Sequence, residues 1–203
     1  RQPSPGLRQA MRIDLTGESY RQELPAYWAE PGAHIATPFY GYGHVEVVTG
    51  HGDNVDGDYR AWLRDKDPAA LNLLGPENSA PHDYIVPQAY RTRIPEELYS
   101  TSYLAERAEA FLNARNANAD PFFLTVSFPD PHHPFNPPGK YWDMYKPEQF
   151  PVPESFKRND WTPPPHVQQA IEERASGKAQ LHGMRSIATT AREAQEAQAL
   201  TCG

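Results

Sequence analysis

The sequence predicts an α/β fold in which a central mixed or parallel sheet lies between layers of helices. The main observation is a nearly continuous apolar run of strand length, Pro121–Phe128, that directly follows a helical pattern. A strand without polar alternation is typical of burial on both faces, and such burial requires helices on either side of the sheet. An alanine-rich helical pattern near the carboxyl end supports the same layered arrangement.

The helix that precedes this run is the clearest single element. Apolar residues recur at helical spacing between positions 104 and 112, and the polar stretch 113–118 ends the pattern. Thr101 or Ser102 is expected to cap the amino end of the helix, because hydroxyl side chains can accept hydrogen bonds from the first free backbone N–H groups.

Shorter elements are expected elsewhere. The β-branched stretch His44–Val48 predicts a strand that stops at Thr49-Gly50, and residues 59–66 predict a helix. A second helix is expected over about 184–200, where alanine and isoleucine share one face. The first 37 residues give no sustained periodicity and predict loop, with one short strand near 11–15.

Composition and charge exclude several classes of function. The chain of 203 residues carries 26 acidic and 19 basic residues, a net charge of −7, which argues against nucleic acid as a partner. No apolar run is long enough to span a membrane, and the amino terminus lacks the apolar core of a signal peptide. Cys202 is the single cysteine, so we expect histidine, carboxylate and hydroxyl side chains to carry any catalytic chemistry.

The stretch 50–94 is long, polar and rich in proline, so we expect a loop-rich insertion there. Its acidic segment 51–58 offers the oxygen ligands that calcium prefers. The spacing is wrong for a calcium-binding EF-hand loop, because Val55 occupies the third position and Gly57 the fifth when Asp53 is the first. We therefore favour an ordinary acidic turn.

The densest polar cluster is Asp130-Pro131-His132-His133-Pro134, directly after the predicted buried strand. The carboxyl end of a strand in an open α/β sheet is where ligands bind, and the prolines restrict the backbone that presents the histidines. An imidazole can bind an anionic oxygen or give a proton to a leaving group near neutral pH. The alternative interpretation is a pair of surface histidines in a loop.

These residues carry a resemblance to a known family. Pro121-Phe122-Phe123-Leu124, then Ser127-Phe128, the Pro-His-x-Pro motif at 131–134 and the aromatic stretch 141–145 together resemble the sulfatase family of the alkaline phosphatase superfamily. Less distinct matches are Pro38–Gly52 and the approach to the helix through Ile94-Pro95-Glu96-Glu97. The similar stretches cover roughly 38–65, 94–156 and 180–203.

The resemblance implies an alkaline-phosphatase-like α/β sandwich and a sulfuric ester hydrolase that acts on a small-molecule or glycan sulfate ester. In that family a formylglycine, made from Cys or Ser in a Cys/Ser-x-Pro-x-Arg motif, attacks sulfur beside a divalent metal, usually calcium. The histidine of Pro-His-x-Pro contacts the sulfate and protonates the leaving alkoxide, and by motif position this role falls on His132. Lys140 is a weaker candidate for attracting the anion at a pocket mouth.

The sequence also departs from the family. Cys202 lacks the Pro and Arg that should follow a formylglycine precursor, no serine fits the motif, and the family's metal-binding aspartates have no counterpart. We therefore expect residues 1–203 to be an internal fragment of one sulfatase-type catalytic domain, inactive alone, with no metal ligands of its own. The alternatives are a phosphodiesterase or phosphonate monoester hydrolase of the same superfamily, and a degenerate, non-catalytic binding protein.

Overall fold

A computed structural model of the chain describes residues 21–22, 24–115, 120–158, 160–179 and 188–203. In chain order the helices and strands are α1 (Pro25–Trp28), β1 (Val48–His51), β2 (Asn54–Gly57), α2 (Asp58–Lys66), α3 (Ser100–Asn113), α4 (Pro165–Ala175) and α5 (Ala191–Cys202). Short 3-10 helices occupy Pro68–Leu73, Pro76–Asn78, Glu96–Leu98, Gly139–Asp143, Pro147–Gln149 and Glu154–Lys157. The strand expected near 11–15 lies outside the described residues.

Within the described part of the chain, β1 and β2 form one antiparallel hairpin, with Val48 opposite Gly57 and His51 opposite Asn54. The predicted strand His44–Val48 is therefore displaced toward the carboxyl end, and Gly50 lies inside β1 instead of ending it. Glycine is tolerated there because its φ of +90° suits a residue without Cβ. The segment 51–58, expected to be an acidic turn, forms the hairpin turn, β2 and the start of α2.

The main hydrophobic core joins the hairpin to α2 and α3. Its largest fully buried side chains are Tyr59 and Leu63 of α2 and Tyr103 of α3, and Val55 of β2 packs beside them. The Tyr59 hydroxyl donates a 2.8 Å hydrogen bond to the carbonyl oxygen of Leu98, so the buried polar group is satisfied. The stretch 50–94 thus supplies much of the core.

A smaller cluster attaches α5 to the middle of the chain. Val86, Trp142 and Leu200 are buried together, with Tyr84 and Phe135 packed against them. Glu196 of α5 is 1% exposed, and its Oε2 accepts the backbone N–H groups of Ile85 and Val86 at 2.7 and 2.8 Å. A buried carboxylate is stable here because backbone donors replace its lost water.

The helix predictions are confirmed for α2 and α3, and in part for the carboxyl-terminal helix. The last begins at Ala191, later than expected, because Thr190 and Glu193 form a reciprocal capping box; residues 180–187 lie outside the described part. The cap expected for α3 was wrong, because its N-cap is Tyr99 and the Thr101 and Ser102 hydroxyls donate to Asp130 and to the Glu96 carbonyl. No described helix has the length and apolar character needed to cross a bilayer.

The largest departure from prediction concerns 121–128. The segment is extended but belongs to no sheet, and Phe122, Phe123, Val126 and Phe128 are exposed. A strand gains its stability from hydrogen-bonded neighbours, and the two described strands pair only with each other. Among the described residues the expected central mixed or parallel sheet is therefore absent, and the architecture is helices around a small antiparallel hairpin.

Candidate functional site

The hairpin turn between β1 and β2 is anchored by a buried carboxylate. Asp53 is fully buried and accepts short hydrogen bonds from the hydroxyls of Tyr90 and Thr92. Burial raises the pKa of Asp53, and the two hydroxyl donors partly offset that rise. On the neighbouring residue, the carbonyl oxygen of Gly52 accepts a 3.0 Å hydrogen bond from the Ser100 hydroxyl at the start of α3. The turn is thereby fixed against the helix.

The loop that carries His132 lies beside this turn. The His132 backbone N–H donates to the carbonyl oxygen of Pro129 at 3.2 Å, which closes a tight turn. The His132 Nδ1 lies 2.6 Å from the carbonyl oxygen of His133. Because a carbonyl can only accept, this contact requires the ring proton on Nδ1, and Nε2 is left for a ligand or a transferable proton.

His51, the last residue of β1, stacks on His132. The two imidazole centroids are 3.9 Å apart with an interplanar angle of 16°. The His133 ring also packs near His132, at a centroid separation of 4.2 Å and an interplanar angle of 31°. Burial, followed by the neighbouring charge of His132 and His133, lowers the pKa of His51, while Asp130 acts in the opposite direction. The His51 ring is therefore protonated less readily than a free imidazole.

Asp130 begins the same loop and faces α3. Its Oδ2 accepts a 2.8 Å hydrogen bond from the Thr101 hydroxyl, and the Tyr99 hydroxyl lies 3.5 Å from its Oδ1. Burial raises the pKa of Asp130, whereas the hydroxyl donors and the nearby His51 lower it. These contacts tie the amino end of the histidine loop to the first turn of the helix.

Asn136 closes the loop on the other side. Its side chain is 1% exposed, and its Oδ1 accepts a 3.1 Å hydrogen bond from the Tyr99 hydroxyl. The Nδ2 amide has no hydrogen-bond partner among the described residues. Gly52 is pressed against this amide so closely that an added Cβ would overlap it. The glycine therefore allows the hairpin turn and the histidine loop to meet.

Asp130, His132 and Asn136 line a cavity of about 710 Å³. Polar groups from the histidine loop and from α3 line one part of it, and prolines, Phe135, Tyr141 and Leu200 line the rest. His132 is among the lining residues, so its ring stands at a concavity although the residue as a whole is exposed. A polar rim beside an apolar wall is typical of a small-molecule binding site.

The other candidates lie apart from this arrangement. The Lys140 side chain is 66% exposed and forms a 3.1 Å ion pair with Glu96, which itself lines the cavity. Trp142 is buried in the small core next to α5 and does not line the cavity. Cys202 is exposed near the end of α5.

We tested whether the described residues fit the divalent metal that the family resemblance implies. In the described ranges no group of three or more histidine, cysteine, aspartate or glutamate side chains could hold a metal ion. The most buried carboxylate near the site, Asp53, is occupied by two hydroxyl donors. The orphaned Nδ2 of Asn136 is a donor and cannot ligate a cation. The described residues thus do not fit a metal centre.

Sequence reasoning identified His132 but missed two of its neighbours. His51 was given no role, because the segment 51–58 was interpreted as an ordinary acidic turn and not as part of a hairpin. Asn136 received no role. The one feature of the sequence that marks Asn136 is that a polar residue stands between Phe135 and two prolines, in a loop that already contains several prolines.

Comparison with known proteins adds two partial similarities. The chain is 34% identical over 96 residues to an arylsulfatase of Clostridium perfringens, which covers 47% of this chain and 19% of that protein. It is 39% identical over 62 residues to the multifunctional alkaline phosphatase superfamily protein PehA of Trinickia caryophylli, which covers 30% of this chain and 12% of the relative. No protein-family model and no solved structure matches.

The matched segments therefore span about a fifth or less of these relatives. Their level of identity agrees with the resemblance carried by the Pro-Phe-Phe-Leu and Pro-His-x-Pro motifs. The chain is thus similar in part to a sulfatase and to a protein of the alkaline phosphatase superfamily.

Proposed function

We propose that this chain is part of a sulfatase-type hydrolase that cleaves sulfate esters of small molecules or glycans. In this proposal His132 contacts the sulfate group and gives a proton to the leaving oxygen. The single observation that supports it best is the position of His132, which stands at the wall of the 710 Å³ cavity and packs against two other imidazole rings.

The chemistry of ester cleavage sets the role of this histidine. Hydrolysis of a sulfate ester needs an activated nucleophile, positive charge near the sulfate oxygens and a proton for the departing oxygen. The contact between Nδ1 and the His133 carbonyl orients the ring and leaves Nε2 free. A protonated Nε2 can both bind an anionic oxygen and supply the proton.

The remaining requirements are assigned to other segments of the full-length protein. We propose that a formylglycine nucleophile and a divalent metal, calcium by the family resemblance, come from such segments. The described residues of this chain do not fit the metal, and Cys202 lacks the neighbours of a formylglycine precursor. The 203-residue chain alone is accordingly expected to be inactive.

A second candidate is hydrolysis of phosphodiesters or phosphonate monoesters. The similarity to PehA, a multifunctional alkaline phosphatase superfamily protein, favours this alternative. Tetrahedral sulfur and phosphorus esters present similar oxygen atoms to a histidine, so the described part of the cavity suits either. The nucleophile and the charge around it would determine which ester reacts faster.

The test compares the full-length protein with its His132→Ala variant on 4-nitrophenyl sulfate, phenyl sulfate, a bis-aryl phosphodiester and phenylphosphonate esters. We expect His132→Ala to lower kcat/KM by about 10²- to 10⁴-fold, the range for loss of a general acid. The loss should be larger for phenyl sulfate than for 4-nitrophenyl sulfate, because the poorer leaving group depends more on the proton.

His44→Ala is the matched control, because His44 pairs with Glu46 and packs on Phe111 away from the cavity. Turnover by the isolated 203-residue chain, or an unchanged rate in His132→Ala, would contradict the proposal. Binding of aryl sulfates by the full-length protein without turnover of any ester would instead favour the degenerate binding protein.

A further inference from the structure

The stack of His51 on His132 carries an inference beyond the role of His132 itself. The contact joins two segments that are distant in sequence, the end of β1 and the proline-rich loop. The rings are nearly parallel at a centroid separation of 3.9 Å, a geometry in which each ring limits rotation of the other. The contact between His132 Nδ1 and the His133 carbonyl oxygen holds one edge of the ring, and His51 packs against its face.

The surroundings of His51 keep its ring in place. The ring belongs to the hairpin, and the next residue, Gly52, is bonded to Ser100 and pressed against Asn136. Asp53, one residue further, is fixed by two hydroxyl donors. The backbone next to His51 is therefore held in place, and the His51 ring adds a second restraint on His132 beside the contact between His132 Nδ1 and the His133 carbonyl oxygen.

The same surroundings favour an uncharged His51. Its Nδ1 is buried without a hydrogen-bond partner among the described residues, and an imidazolium would carry an N–H on that atom with nothing to accept it. The titratable groups that face it are His132, His133 and Asp130. A neutral ring can stack on a protonated His132 without charge repulsion and present its π face to the cation.

We propose that His51 is a positioning residue for His132, with its neutral imidazole acting as a flat support that holds the His132 ring in its proton-donating orientation. This inference rests on the proposed function of His132 and extends it to a residue that touches no reacting atom. The support requires a flat ring and not an ionisable one, so phenylalanine should replace His51 and alanine should not.

The experiment uses full-length protein with His51→Ala and His51→Phe, measured on phenyl sulfate and 4-nitrophenyl sulfate. We expect His51→Ala to lower kcat about 10-fold or more on phenyl sulfate, with a smaller loss on 4-nitrophenyl sulfate and little change in KM. His51→Phe should retain activity within about 3-fold. A merely structural role would lower both rates equally and leave their ratio unchanged, which would overturn the proposal.

A second readout does not depend on activity. The NMR signals of the His132 ring protons report the neighbouring ring current, and we expect them to move downfield in His51→Ala and to stay near their wild-type positions in His51→Phe. Unchanged His132 signals in His51→Ala would overturn the stack. If this shift occurs but the full-length protein hydrolyses no ester, His51 still positions the His132 ring, and the proposed hydrolase function is wrong.

Discussion

Gly52 and Asn136 meet so closely that a side chain at position 52 would overlap the Asn136 amide. Gly52 has a φ of +63° and Asn136 is 1% exposed, so neither the backbone nor the buried amide can move away cheaply. This contact brings the hairpin turn to the loop that carries His132. The hairpin turn thus packs against the back of Asn136, a residue of the cavity wall.

The first prediction tests this contact by substitution of glycine. Gly52→Ala should lower the free energy of unfolding by about 2–4 kcal/mol, the sum of a strained positive φ and overpacking against a buried group. Gly41→Ala is the matched control, because Gly41 also has a positive φ but an added Cβ would meet nothing within 4 Å. Its cost should be only about 1 kcal/mol.

Urea unfolding followed by far-UV circular dichroism measures both variants. Equal destabilisation by Gly52→Ala and Gly41→Ala would show that the contact with Asn136 contributes nothing beyond backbone strain.

The second prediction concerns the pH dependence of stability at Asp53. Burial raises its folded pKa above the 3.8 of a free carboxyl, so between these two values the folded state binds more protons than the unfolded state. Stability contributed by this group is therefore lost as pH rises from about 3.8 through the folded pKa. Asp53→Asn mimics the protonated carboxyl and should remove this loss.

Measurement of urea midpoints from pH 4 to pH 8 tests this sign. The difference in unfolding free energy between Asp53→Asn and wild type should shift in favour of the variant as pH rises, and should level off once Asp53 is ionised in both states. A difference that is constant with pH would show that the bonds from Tyr90 and Thr92 balance the burial, and a shift toward the wild type would show that they outweigh it; either result would contradict the prediction.

Local pattern predicted the helices α2 and α3 well and α5 in part, whereas α1 lies in a stretch that was predicted as loop. The apolar spacing of α3 and the segment of α2 needed no tertiary information, because each helix satisfies its own backbone and shows its buried face in the sequence. The capping box of α5 was also readable as Thr190 followed by Glu193.

Pairing and long-range contacts could not be read in the same way. The run 121–128 has the composition of a buried strand, yet Phe123 is 79% exposed, because apolar composition indicates a strand without naming its neighbours. The stack of His51 on His132 depends on the hairpin register, which the Thr49-Gly50 signal misplaced. The role of His132 was thus predictable, because a sequence motif contains it. The role of His51 was not, because it depends on a tertiary contact.

The charge of the cavity leads to the third prediction, on substrate preference. Three carboxylates line the cavity: Glu96, Glu97 and Asp130. No lysine or arginine of the described residues lines it, and the nearby Lys140 forms an ion pair with Glu96. Carboxylates repel a polyanion, and recognition of sulfated glycans requires clustered cations. We therefore expect the full-length protein to prefer sulfate esters whose organic part is compact and uncharged or cationic.

Glu97→Gln tests the electrostatic part of this preference, because Glu97 is exposed at the cavity and its substitution removes a charge with little change in shape. The variant should lose about 2- to 5-fold in kcat/KM for an ester with a quaternary ammonium group, because one partly screened surface charge contributes that much. Its rate on phenyl sulfate should not change. Glu109→Gln, at an exposed position of α3, is the control. A wild-type preference for a polysulfated glycan over phenyl sulfate would contradict the prediction, since cations from other segments would then dominate the cavity.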